Sequence, residues 1–347
     1  MKKRILSVLI TLVMLIGMLP TAVFAAETTY DLWVGDVRFT SGNLVIDSAD
    51  DPAITGGSAT YDPSTDIITL DNFNYTGAGH DYGWSNKAAI YGGNKYLTIK
   101  VIGENKITCK GDGYCYGIRS ESGVSILGTD AENDKLTVIA EAQCIAASTS
   151  LHIEDVDLSL VSDDWRGIDM WGSNIIAEVI DSIVSIKCSD QGIYMNEHDD
   201  NGSFTVENSI ITIDTQNSTA IDCSNISIKG AACVLAGDSE SAATYANPTD
   251  NSIYQNAYVK IVNKDPKNLS VTRDGVTEYY DSLGSVWDDL EDGDVIKVEH
   301  DYIETYADAQ FGFPINPIFT VSFILLPPQS QCLVQYEIPQ QIVSLSQ

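Results

Sequence analysis

Cys144-Ile145-Ala146-Ala147-Ser148-Thr149-Ser150-Leu151-His152-Ile153-Glu154-Asp155-Val156-Asp157-Leu158-Ser159-Leu160-Val161-Ser162-Asp163-Asp164-Trp165-Arg166-Gly167-Ile168 is the stretch that decides the fold. It opens on a small residue followed by isoleucine, passes through two alternating triplets, and arrives at the same kind of pair. The pair also stands at Ala89-Ile90, Gly117-Ile118, Gly192-Ile193 and Ala220-Ile221, so the isoleucines recur every 23 to 28 residues. The first triplet returns as Leu97-Thr98-Ile99, Val124-Ser125-Ile126, Ala177-Glu178-Val179, Phe204-Thr205-Val206 and Ile226-Ser227-Ile228. A separation of seven to the next triplet is kept from Ile153 to Leu160, Val179 to Ile186, Val206 to Ile213 and Ile228 to Leu235. A fixed register at this period belongs to a chain wound into coils. Apolar residues at alternate positions point in, and Thr, Ser or charged residues point out. The expected fold is all-β: a right-handed, single-stranded parallel β-helix with three short strands per coil.

Outward from this ladder the chain divides into five parts. Residues 1–25 read as a cleaved signal peptide, with Lys2, Lys3 and Arg4 before an apolar run and Val23-Phe24-Ala25 as the cleavage site. Residues 26–86 form an N-terminal β cap, including a hairpin around Asp62-Pro63-Ser64-Thr65. The β-helix occupies 87–265. A small α+β element spans 266–305, with a hairpin at Asp274-Gly275 and a helix from Ser282. The tail, 306–347, is irregular; from Phe311 onward its one charged residue is Glu337, and it holds five of the ten prolines.

The formal net charge is −30, and loss of the three leader cations would make it −33. Such acidity excludes nucleic acid as a partner, because phosphate must be met by Lys and Arg. No stretch after the leader reaches the roughly 18 apolar residues of a membrane helix. The mature protein is expected to be secreted or held at the cell surface, without membrane insertion, as a monomer. The seven cysteines contain no CxxC pair. Cys109 and Cys188 align with the third-strand slot of Val138, Leu160 and Ile213, three coils or roughly 14 Å apart, beyond disulfide reach. Cys144 fills the slot of Gly117 and Gly167. These thiols read as small buried hydrophobes.

Tyr30-Asp31-Leu32-Trp33-Val34-Gly35, the Tyr61-Asp62-Pro63 hairpin and the Ala-Ile-Tyr or Gly-Ile-Tyr repeats with their L-T-I triplets resemble a known group. These are the secreted β-helix proteins of Gram-positive anaerobes described as carbohydrate-binding domain proteins, and the likeness covers roughly residues 30–262. It implies a right-handed β-helix, cellulose- or pectin-like polysaccharide as partner, and calcium as cofactor.

Aromatic and acidic residues gather where each coil enters its first strand. Trp84, Tyr91, Tyr114, Tyr116, Trp165, Asp169, Trp171 and Tyr194 are the candidate ligand-binding residues, since flat rings beside hydrogen-bonding groups suit a pyranose. β propensity alone also enriches aromatics in strands. The outward position after each isoleucine reads Tyr91, Arg119, Ala146, Asp169, Tyr194 and Asp222. Calcium needs six to eight oxygen ligands. Asp163, Asp164 and Asp190, on one turn of neighbouring coils, are the first candidate set; Glu197, Asp199 and Asp200 are the second. Three readings stand open at this stage: a non-catalytic carbohydrate-binding protein, a calcium-dependent polysaccharide lyase of the pectate type, and a structural adhesin. Within the resemblance, the lyase reading assigns the base to Arg119 or Arg166. A glycosidase pair at about 5 to 9.5 Å is disfavoured, because the neighbours Asp163 and Asp164 point to opposite sides of a strand.

Overall fold

The computed structural model describes residues 27–195, 201–216, 218–229, 232–247, 251–263, 269–273, 276–280, 295–298 and 322–324. The leader lies outside them, as does the helix expected from Ser282. The described chain is nearly all β, and its parallel coils stack into a β-solenoid of about six turns.

Three sheets run the length of the stack. The first holds Asn86–Tyr91, Tyr114–Ser120, Ile145–Ala147, Ile168–Met170, Ile193–Met195 and Ile221–Asp222, all parallel. The second runs from Leu97–Ile102 to Asn225–Lys229 with Leu97, Val124, Leu151, Ala177, Phe204 and Ile226 in one column. The third carries Ile107, Val138, Leu160, Ile186 and Ile213 in register. Most of these inward side chains are buried to within 2% exposure. Stacking like on like is what makes short strands stable here: each coil covers the apolar cross-section of the one before.

The constant separation of seven has a local cause. Between the second and third strands the backbone turns through one left-handed residue, at Asn72 (φ 48), Gly103 (φ 69), Asp155 (φ 54), Asp181 (φ 49) and Asn208 (φ 44). Gly, Asn and Asp are the residues that tolerate this region. The hydroxyls of Ser182 and Ser209, one residue later, close the corner by donating to Ile180 O and Glu207 O, each at 2.7 Å. One coil replaces the short corner with a longer loop, and Asp134 rebuilds it. Its buried carboxylate accepts from Gly103 N (2.9 Å), Thr129 N (2.8 Å) and Thr129 Oγ1 (2.7 Å). Burial would raise its pKa, yet these donors hold it below the ordinary carboxylate value.

The hairpin at Asp62–Thr65 is present, pairing Ile54–Asp62 with Ile67–Gly77. Its second strand is already a solenoid rung. Ile67–Asp71 pairs in parallel with the second sheet and Asn74–Gly77 with the third, bending between them at Asn72. At the far end the spacing from Ile228 to Leu235 adds no parallel rung. Tyr258–Val262 instead returns antiparallel on both Ile210–Thr215 and Cys233–Gly237. The third sheet is thus closed by the chain's own returning strand, with Tyr254 buried in the core behind it.

Farther on, Leu269–Arg273 and Val276–Tyr280 pair antiparallel, with Val295–Val298 and Ser322–Ile324 in the same sheet. Of the span 306–347, only residues 322–324 lie among those described.

The register moves two of the cysteines. Cys109 is level with Ala140, and Cys188 with Thr215, two residues beyond the slot of Val138 and Ile213. The slot that holds Cys109 and Cys188 takes only small side chains, with Ser162 paired to Ala140. Cys144 does align with Gly117 and Gly167, as the flanking isoleucines pair. Cys109, Cys115, Cys144 and Cys188 are buried free thiols, and burial pushes Cys188 up to about 12.

Candidate functional site

The outer face of the first sheet carries the candidate residues. Parallel pairing places Tyr91, Arg119, Ala146, Asp169, Tyr194 and Asp222 in a single outward column, one residue per coil, and Trp33 pairs antiparallel onto its Tyr91 end. Rungs of a sheet are about 4.8 Å apart.

Arg119 is the centre of the upper half. Its guanidinium lies 5.2 Å from the Tyr82 ring, 4.8 Å from Tyr116 and 4.5 Å from Trp171. Its Nε and Nη2 both donate to Glu121 Oε1, at 3.0 and 2.9 Å. Tyr82 stacks on Tyr91 at 4.6 Å with 8° between planes. Ala88, Tyr116 and Ala146 form a small apolar cluster beneath, against which Tyr82, Tyr91 and Trp171 pack. Burial raises the pKa of Tyr82, Tyr91 and Tyr116, so these rings present neutral hydroxyls.

Arg166 organises the lower half. It covers the Tyr194 ring at 3.8 Å, donates from Nη1 to Asp169 Oδ1 (3.1 Å) and from Nε to Gln191 Oε1 (2.7 Å), and lies 3.7 Å from Asp190 Oδ2. Asp169 also accepts from Gln143 Nε2 at 2.7 Å. Gln143 itself is 2% exposed, and its Oε1 has no hydrogen-bond partner. Farther out, Tyr114, 53% exposed, tilts against Trp165 at 5.7 Å.

Seven of the eight ring and carboxylate candidates thus fall on this face. Trp84 does not join the column. It sits at the tip of the hairpin joining His80–Gly83 to Asn86–Tyr91, at φ 58 and 96% exposed. Tyr82 and Gln191 belong to the aromatic and acidic turns that enter the first strand, whereas Glu121 and Gln143 were not singled out from sequence; Gln143 stands two residues before Ile145, where the other coils carry Ala88, Tyr116, Arg166 and Gln191.

Two of the first three acidic candidates for calcium, Asp163 and Asp190, are otherwise engaged. Asp163 Oδ2 meets Lys110 Nζ at 2.5 Å, and Asp190 faces Arg166 and accepts from Ser218 Oγ at 3.0 Å. A divalent ion among them would have to displace or oppose cations of the chain itself. No group of three or more metal-ligating side chains is found among the described residues. Glu197, Asp199 and Asp200 lie outside those residues.

No helix of the described residues is long and apolar enough to cross a membrane. The chain matches no family model, no curated protein and no solved structure.

Proposed function

We propose that this is an exported, non-catalytic carbohydrate-binding protein that holds an extended glycan along the outer face of the first sheet. The observation that carries this reading is the column itself. Aromatic rings and hydrogen-bonding groups stand at five of the six coils of the column, Ala146 excepted, at a rung spacing on the scale of one sugar ring, and arginines stacked on ring faces hold the rings in place. A rigid, pre-ordered platform loses little entropy when a chain of sugars settles on it. The export half of the proposal rests on the leader sequence, and the resemblance in repeat texture supports the glycan half.

The lyase reading draws less support. Its base would be Arg119 or Arg166, and both guanidiniums are already paired with carboxylates of the chain. An adhesin without glycan affinity would need a different surface to explain the aromatic column.

The test is retention on insoluble cellulose and on other polysaccharides, with assay of the supernatant for cleaved or unsaturated product. Retention without product, weakened by Trp171→Ala, is the expected result. Release of unsaturated product that disappears in Arg119→Ala would replace this reading with the lyase.

A further inference from the structure

We infer that this face selects neutral or amino-bearing glycans and rejects polyuronates, with Glu121, Asp169 and Asp190 as the residues that set the preference. The inference rests on the carbohydrate-binding reading and concerns which class of sugar that face accepts.

A uronate is recognised best by an arginine that offers two parallel N–H groups to its carboxylate. Both arginines of this face already meet carboxylates of the chain, which offset their charge. Arg119 spends Nε and Nη2 on Glu121, and its side chain is only 17% exposed. Arg166 spends Nη1 on Asp169 and Nε on Gln191, with Asp190 as a second carboxylate nearby and 18% exposure. The neighbouring cation Lys110 is paired with Asp163. Every cation named on this face therefore already has an acidic partner, and Arg166 has two. An incoming carboxylate would meet like charge in a chain whose net charge is −30.

Ring faces such as Tyr114 and Trp165 suit the apolar C–H face of a neutral pyranose and also favour a cationic amino group.

The experiment is calorimetric titration of the full chain with cellohexaose, the glucosamine hexamer and hexagalacturonate, in chelator-treated buffer at low and high salt. Cellohexaose or the glucosamine hexamer should bind at least about tenfold more tightly than hexagalacturonate at low salt. The gap should narrow as salt screens the repulsion. Glu121→Gln, which removes the negative charge beside Arg119, should raise hexagalacturonate affinity by roughly threefold or more. Asp190→Asn at the more open Arg166 end should act in the same direction, so the inference does not hang on one variant folding. Hexagalacturonate binding as tightly as the neutral hexamer would overturn the inference and leave the carbohydrate-binding reading standing. Failure of all three sugars to bind would overturn both.

Discussion

The first and third sheets share one interior and differ outside. Inward, both stack small and aliphatic side chains in unbroken columns. Outward, the third sheet lines up Lys106, Thr137, Ser159, Ser185 and Thr212, a lysine followed by short polar groups suited to any solvated strand. The first lines up Tyr91, Arg119, Asp169 and Tyr194, with rings clasped by guanidiniums. Winding therefore accounts for what the two sheets share, and needs nothing from the aromatic column. A feature the fold does not require is where function should be sought.

That contrast can be broken at several points. The largest effect belongs to the shared interior. Leu160→Ala, at a position with no exposure, should cost about 2–5 kcal/mol in chemical denaturation. Next comes the one corner rebuilt around a carboxylate. Asp134→Asn should cost about 1–3 kcal/mol, because three donors lose a charged acceptor. The sign with pH follows from its lowered pKa. The stabilisation is present above the ordinary Asp value of 3.8 and drains away as pH falls below it. A pH-denaturation series in which Asp134→Asn and wild type converge in acid would bear this out; parallel curves would refute it. On the outer face, Trp171→Ala should weaken glycan binding about tenfold, or ~1.4 kcal/mol, with a smaller effect on folding. The smallest effect is Ser159→Ala, one residue from Leu160 but facing out. It should stay within about 0.5 kcal/mol and leave binding unchanged.

The coils were legible because their evidence is periodic. Each isoleucine pair and triplet aligned as the spacing required, and the left-handed Asn, Asp and Gly corners explain why the spacing held. Legibility failed where the chain stopped repeating. The spacing from Ile228 to Leu235 continued the pattern, but nothing local announces that Tyr258–Val262 returns antiparallel to take the next place. The hairpin strand Ile67–Gly77 likewise read as cap, since its pairing with two sheets at once depends on a bend at Asn72. On the site, the column itself could be read from sequence, because register fixes which residues share a face. Which acids pair with which cations could not. Lys110 reaching Asp163 and Gln143 reaching Asp169 cross coils, and side chains that long choose partners no spacing dictates.

Affinity electrophoresis through a gel containing a soluble neutral β-glucan tests most directly whether the first sheet's outer face is the binding surface. Wild type, Trp171→Ala and Ser159→Ala would run side by side, against a gel without polysaccharide. Wild type and Ser159→Ala should be retarded equally, and Trp171→Ala should migrate nearly as it does without glycan. Equal retardation of all three, or of none, would contradict it.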